Sequence, residues 1–178
     1  MTRYFYDCEF LEDGETIAPI SIGIVGSDGR EYYAVFADMP VERIASHPWL
    51  MANVVPHLPA ADTPLWHLDL THPEVKPRWQ IAEEVRGFLT AHNGPIELWG
   101  YYSSYDHILL SQLWGRMIDR PDRIPMITLD VQQEAIRLGL ENWLPRQADG
   151  LHNALADARW TRDAWRYLAG HASGGVAQ

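Results

Sequence analysis

Residues 3–10 read Arg-Tyr-Phe-Tyr-Asp-Cys-Glu-Phe (RYFYDCEF), and everything else in the chain is interpreted outward from this stretch. It alternates as a strand does: Phe5, Asp7 and Glu9 share one face, and Tyr4, Tyr6, Cys8 and Phe10 share the other. Residues two apart on a strand point the same way, roughly 6–7 Å apart along the backbone. Two carboxylates so placed repel each other and resist burial. Either their face is solvated at a sheet edge, or it looks into a pocket where something offsets the charge. Phe5 on the same face and the apolar opposite face favour the pocket.

Turns and strands follow at once. Glu12-Asp13-Gly14-Glu15 reads as a turn, Ile17–Val25 as a second strand, Ser27-Asp28-Gly29-Arg30 as a hairpin turn and Glu31–Phe36 as a third strand, an antiparallel meander. Helical pieces are expected over Pro40–Ser46 and His47–Val55. The stretch Pro56–Pro77, punctuated by five prolines, is a loop long enough to be functional or to hold further elements. Helical spacing of Ile81, Val85, Phe88 and Leu89 marks a helix over Trp79–Ala91, before a buried strand at Pro95–Tyr101. Ser103-Ser104 is suited to cap a helix from Tyr105 to Met117 that turns Leu109, Leu110, Leu113 and Met117 inward. A short strand at Met126–Leu129 precedes a helix over Val131–Leu138 capped by Asp130, and a strong helix runs from Asn153 to Leu168. The order βββ-α-β-α-β-α predicts an α/β fold. Three antiparallel N-terminal strands and later parallel strands form one mixed sheet flanked by helices. Residues 1–171 read as a single domain and 172–178 as a frayed tail.

Composition narrows the functional classes. The 178 residues have 47% hydrophobic content with eight Trp and eight Tyr, a globular composition. No apolar run approaches the roughly 18 residues of a membrane span, and the lone cysteine, Cys8, points to a reducing cytoplasm. A net charge of −10 argues against a grip on long duplexes, because such affinity comes from displaced counterions. A few nucleotides are still within reach if divalent ions supply the positive charge.

Further carboxylates fall where a pocket needs them. Asp106 sits in the first turn of the helix after the Pro95–Tyr101 strand, and ligands of open sheets gather at strand carboxyl ends and helix N-termini. Taken alone it reads equally well as complementing the helix dipole. His152 and Asp157 are five apart, about 140° beyond one helical turn, so they do not share a narrow face. They converge if Gly150-Leu151-His152 is an approach loop, Asn153 caps the helix and Asp157 lies in its first turn. Ala154, Ala156 and Ala158 let that helix pack closely. Alone, the pair reads as a capped surface helix.

Jointly, Asp-x-Glu … Asp … His-x4-Asp resembles the DEDDh branch of 3′→5′ exonucleases, the ribonuclease-T and oligoribonuclease-like superfamily. Asp7-Cys8-Glu9 carries the first motif, Tyr105-Asp106 the second, and His152 with Asp157 the third, so the likeness spans nearly the whole chain. Asp-x-Glu-Phe is similar to the bacterial polyadenylate-specific exoribonuclease branch in particular. The chain departs from many members by carrying Phe10-Leu11-Glu12 where Thr-Thr-Gly or Thr-Gly follows the first Glu. The resemblance implies a ribonuclease-H-like fold and a metal-dependent exoribonuclease acting on single-stranded or short RNA 3′ ends and releasing nucleoside 5′-monophosphates. It implies two Mg²⁺ or Mn²⁺ ions about 3.5–4 Å apart, held by Asp7, Glu9, Asp106 and Asp157. The resemblance also implies that Asp7 bridges both ions and that His152 takes the proton of the attacking water, a role an imidazole suits at neutral pH. A DNA-directed exonuclease and an inactive RNA-binding scaffold are the competing readings.

Phe10 and Leu11 follow the first motif directly and, with Tyr105, are the expected base-stacking residues. Trp66, Trp79 and Tyr102 are weaker candidates for that role, while Trp99 and Tyr101 suit a core. Lys76, Arg78 and Arg146 read as solvated charges that could meet phosphate. Cys8 alternates away from the acids and fits a small buried apolar role. Trp160 and Trp165 fit either a homodimer seam or a buried face.

Overall fold

In the computed structural model, residues 1–63 and 65–174 are described. The opening strand, β1 (Thr2–Glu12), lies at the middle of a six-stranded sheet. β2 (Ile17–Gly26) and β3 (Glu31–Phe36) follow as the expected antiparallel meander, with Asp7 opposite Gly23 and Glu9 opposite Ser21. The first turn is closed by the Asp13 carboxylate, which accepts the N–H groups of Glu15 and Thr16. Helices α1 (Val41–Ala45) and α2 (Pro48–Asn53) lead through a 3₁₀ turn to the two-residue edge strand β4 (Val75–Lys76), parallel to β3. Then α3 (Arg78–Thr90) crosses to β5 (Ile96–Gly100), parallel to β1 on its other side. After α4 (Ser104–Gln112), β6 (Leu129–Asp130) joins β5 in parallel, and α5 (Val131–Leu138) and α6 (Ala154–Gly174) complete the chain. Sheet order is β4-β3-β2-β1-β5-β6, the mixed α/β architecture expected.

Alternation along β1 divides the two layers. Tyr4, Tyr6 and Cys8 join Ile20, Ile22 and Ile24 in the main core, with Ile81, Val85 and Leu89 of α3 and Leu109 and Leu110 of α4. On the opposite face the Phe5 ring meets Trp165 of α6 at 5.7 Å. There Ala164 and Leu168 of α6 pack with Val131 and Ala135 of α5. Helix α6 approaches this face so closely that a Cβ on Gly23 would overlap the backbone of Ala154 and Leu155. Glycine at position 23 therefore sets how near the first turn of α6 comes to Asp7, its cross-strand partner.

Several boundaries differ from the sequence reading. Helix α4 stops at Gln112, ahead of Gly115 at φ +91, and Met117 lies exposed in a 3₁₀ turn. Ser103 does not cap α4: its N–H donates to Asp130 Oδ2 at 2.9 Å. Met126 and Ile127 are exposed and only Leu129–Asp130 pairs, since β5 is itself short. The Pro56–Pro77 stretch is anchored by buried Leu58, Leu68 and Val75, and Ala60 and Leu68 form an isolated bridge. Helix α6 extends through Gly174, past the expected end at Leu168; residues 175–178 of the expected tail lie outside the described residues. Trp160 and Trp165 are each half-buried against their own chain. Trp160 donates Nε1–H to the Pro145 carbonyl and packs on Tyr101, while Trp165 lies between Phe5, Trp99 and the Arg3 guanidinium.

Candidate active site

Three elements bring the acids together. β1 supplies Asp7 and Glu9. Its ladder with β5 ends at Phe5 opposite Trp99, so three residues later the Cys8 N–H has no strand partner on that side. Asp106, in the first turn of α4, fills that place: its Oδ1 accepts the Cys8 N–H at 2.7 Å, putting the carboxylate beside the backbone between Asp7 and Glu9. Cys8 itself is buried, as its alternation requires. From α6, Asp157 reaches in over Gly23. Asn153 caps this helix by accepting the Ala156 N–H at 3.0 Å.

The third motif is held by its own hydrogen bonds. Asp157 Oδ2 accepts the His152 backbone N–H at 3.0 Å and Oδ1 accepts Gln147 Nε2–H at 2.6 Å. His152 sits at φ +66, a left-handed conformation uncommon outside glycine, and Tyr102 at φ +52 is the other such residue described. The imidazole of His152 packs edge-on against Trp49 at 4.8 Å. Ligand atoms of Glu9, His152 and Asp157 all lie within 4.8 Å of one another, a spacing that one cation can span. Asp7 lines the same cavity as His152 and Asp157.

Electrostatics record the convergence. Burial, then the charges of Asp106, Glu9 and Asp157, push the Asp7 carboxyl well above the ordinary carboxylate range. Burial and the neighbouring Asp157 and Asp106 push Glu9 up to about 8. Burial raises Asp106 to about 6 although the Cys8 N–H favours its ionised form. Asp157 is also raised, chiefly by burial, against the pull of Gln147 and the His152 N–H. Four carboxyls whose ionisation is disfavoured by burial, and for Asp7 and Glu9 by their acidic neighbours as well, are a donor set suited to hard divalent cations, which take oxygen ligands.

Two recesses flank the cluster. A cavity of about 540 Å³ runs from Asp7, His152 and Asp157 toward Tyr101, Arg146 and Trp160. A groove of about 370 Å³ is lined by Glu9, Phe10, Glu12, His47, Trp49 and Leu50. Strict alternation would put Phe10 on the face opposite Glu9. The β1–β2 register shifts between these two residues, leaving Ile20 unpaired, and a bulge of this kind redirects side chains. Phe10, half-buried against the main core, borders the groove and meets Tyr105, half exposed, at 5.7 Å. Leu11 lies deeper. It is buried in the main core and offers no face for stacking, which corrects the sequence expectation. Trp99 is part of the packing under α6, but Tyr101 is both packed on Trp160 and exposed to the cavity.

Sequence reasoning missed Trp49 and Gln147, and the second role of Asp130. Trp49 arrives on a short helix with no pattern linking it to the site, and Gln147 lies in a segment without periodicity. Asp130 was expected to cap α5, which it does through Oδ1. Its Oδ2 also holds the Ser103 N–H, so one carboxylate fixes the starts of α4 and α5 together.

Comparison with known proteins agrees with this geometry. Residues 2–169 match the 3′-5′ exoribonuclease Rv2179c-like domain. Two curated proteins of Mycobacterium tuberculosis, 3′-5′ exoribonuclease Rv2179c of strain H37Rv and 3′-5′ exoribonuclease MT2234.1 of strain CDC 1551, are each 42% identical over 158 residues. The match covers 88% of this chain and 87% of theirs. Among solved structures, S. pombe Pop2p in its Mg²⁺- and Mn²⁺-bound form superposes with a TM-score of 0.53 at 13% identity, covering 98% of this chain and 86% of that one. E. coli ExoI in a metal-free complex with single-stranded DNA gives 0.55 at 13%, covering 96% of this chain and 42% of that one. These two share the fold. The family match and the 42% identity, each across most of the sequence, show that the chain belongs to the Rv2179c-like 3′-5′ exoribonuclease family.

Proposed function

We propose that the protein is a metal-dependent 3′→5′ exoribonuclease of the DEDDh type, acting on single-stranded or short RNA ends. Asp-x-Glu-Phe, with Phe10 at the groove, supports a place beside the polyadenylate-specific branch. The observation that carries this reading is the cluster of Glu9, His152 and Asp157, with Asp7 on the same cavity and Asp106 bonded to the Cys8 N–H between the two strand acids.

In this mechanism Asp7, Glu9, Asp106 and Asp157 hold two Mg²⁺ or Mn²⁺ ions. Ions held there would supply Lewis acidity for activating a water and positive charge for the oxygens of an in-line displacement. The acids would place those ions, and through them the scissile phosphate, beside the central strand. His152, held against Trp49 and by its own strained backbone, takes the proton from the attacking water. The new P–O bond forms as the bond to the 3′-oxygen of the preceding nucleotide breaks, and that oxygen leaves as a hydroxyl after protonation by solvent. Products are one nucleoside 5′-monophosphate and an RNA one nucleotide shorter. Phe10, Tyr105 and Trp49 border the place where the terminal base stacks.

The test is direct. Wild type with Mn²⁺ should release nucleoside 5′-monophosphates from the 3′ end of labelled single-stranded RNA, and faster than from matched DNA. His152→Ala should lower the rate by about 10²–10⁴-fold, the usual contribution of a general base. Undiminished activity removes His152 from the role, and internal cleavage or no cleavage by wild type rejects the reading.

A further inference from the structure

A protein of net charge −10 needs some local means of holding a polyanion, and most of its cations are already engaged. The lysine and nearly every arginine pair with an acid: Arg3 with Glu97, Lys76 with Glu84, Arg78 with Asp38, Arg159 with Glu31, and others alike. Arg120 and Arg123 donate to backbone carbonyls. Among the described residues, Arg146 alone has neither kind of partner. It lines the cavity that opens from Asp7, His152 and Asp157, where Glu141 shares the wall without forming an ion pair with it. Acids line both recesses, but in the groove of Glu9 and Glu12 no arginine or lysine stands among them.

This asymmetry has a chemical counterpart in the substrate. An enzyme that removes one nucleotide from a 3′ end leaves, on one side of the scissile phosphate, a single nucleoside ending in hydroxyl groups. Every other phosphate of the RNA lies on the 5′ side. An acidic, aromatic groove suits the first, and a recess with a free guanidinium suits the second. We infer that Arg146 binds the phosphate immediately 5′ of the scissile one, so that the upstream RNA runs through the cavity walled by Tyr101 and Trp160. The inference rests on the exoribonuclease reading above and adds the polarity with which RNA lies across the site.

The minimal pair of substrates is a dinucleotide without a 5′-phosphate, NpN, and the same dinucleotide with one, pNpN; only the second carries the extra upstream phosphate. With Mn²⁺ present, kcat/KM of wild type should favour pNpN by about tenfold, as expected for one charge-assisted contact. Arg146→Ala should bring that ratio close to one, with Arg146→Lys intermediate because ammonium lacks the fork. On single-stranded hexamers the slope of log(kcat/KM) against log[salt] should flatten by about 0.7 in the alanine variant, one phosphate contact fewer. Equal losses on NpN and pNpN would mean a contact to the scissile phosphate or damage to the fold, and would overturn the assignment. An unchanged ratio overturns it as well. If wild type hydrolyses neither substrate, the exoribonuclease reading itself fails and takes this one with it.

Discussion

Asp7 shows how a candidate-site residue can be legible in a sequence. A carboxylate on a strand face that also carries Phe5 needs something to offset its charge, and the structure sets it half-buried among three further acids. That burial makes a specific forecast. Asp7→Asn removes the charge that Glu9, Asp106 and Asp157 oppose most, so the ion-free variant should melt higher than wild type at pH 8. RNA hydrolysis should fall by at least about 10³-fold, and Mn²⁺ should no longer raise the melting temperature by the wild-type amount. Thermal melts with and without chelator check all three; a variant less stable than wild type in chelator would contradict the electrostatic account. Asp157 was legible for a different reason, its place just after a capping asparagine. Gln147 and Trp49 were not legible, because residues in irregular segments gain their partners only through the path of the chain. Leu11 was misread because adjacency to the motif in sequence does not bring a side chain to the pocket, and this one packs into the main core.

At the scale of elements, the site depends on two close approaches. Helix α6 is set against β2 by Gly23, and α4 and α5 are pinned to each other by Asp130. Gly23→Ala should therefore lift the first turn of α6, costing about 1–3 kcal/mol as overpacking does and moving Asp157 off its partners. Activity should fall well beyond the loss of folded protein at the assay temperature, measurable by comparing RNA hydrolysis with urea unfolding. Asp130→Ala touches no proposed ligand yet strips the cap from α5 and the acceptor of Ser103, an expected loss of about 1–2 kcal/mol. Wild-type stability in that variant would show that water replaces both bonds. The meander and α3, α5 and α6 were readable because local patterns specify them: alternation, turn residues, helical spacing and caps. β4 and β6, two residues each, were not: β4 was missed and β6 misplaced, since such short strands exist only by virtue of the neighbour they pair with. The end of α4 was overrun because Leu113 and Met117 continue the helical spacing past the point where Gly115 takes a left-handed φ.

For the whole molecule, the clustered carboxyls tie stability to pH and to cations. Glu9 is raised to about 8, Asp106 to about 6, and Asp7 and Asp157 are raised too, whereas the same groups in an unfolded chain ionise near pH 4. Between those values the folded state holds protons that the unfolded state has released, so stability falls as pH rises. Acids with depressed values work in the opposite direction but at lower pH: Asp28, held near 2, loses its contribution only as pH drops below the ordinary carboxylate range. The ion-free protein should therefore melt progressively lower from pH 5 to pH 8. Divalent ions reverse the trend, because they bind the deprotonated acids that the bare fold disfavours. With an ion at a hundred times its Kd, binding adds about 2.7 kcal/mol per site. For a domain of this size that is a rise of roughly 5–10 °C in Tm. The rise should be largest at pH 8 and small at pH 5, where protons compete for the same oxygens. Melting curves in chelator and in Mn²⁺ across that range decide it. A flat or rising ion-free profile, or equal Mn²⁺ stabilisation at both ends, would mean that these carboxyls do not share one pocket with the ions.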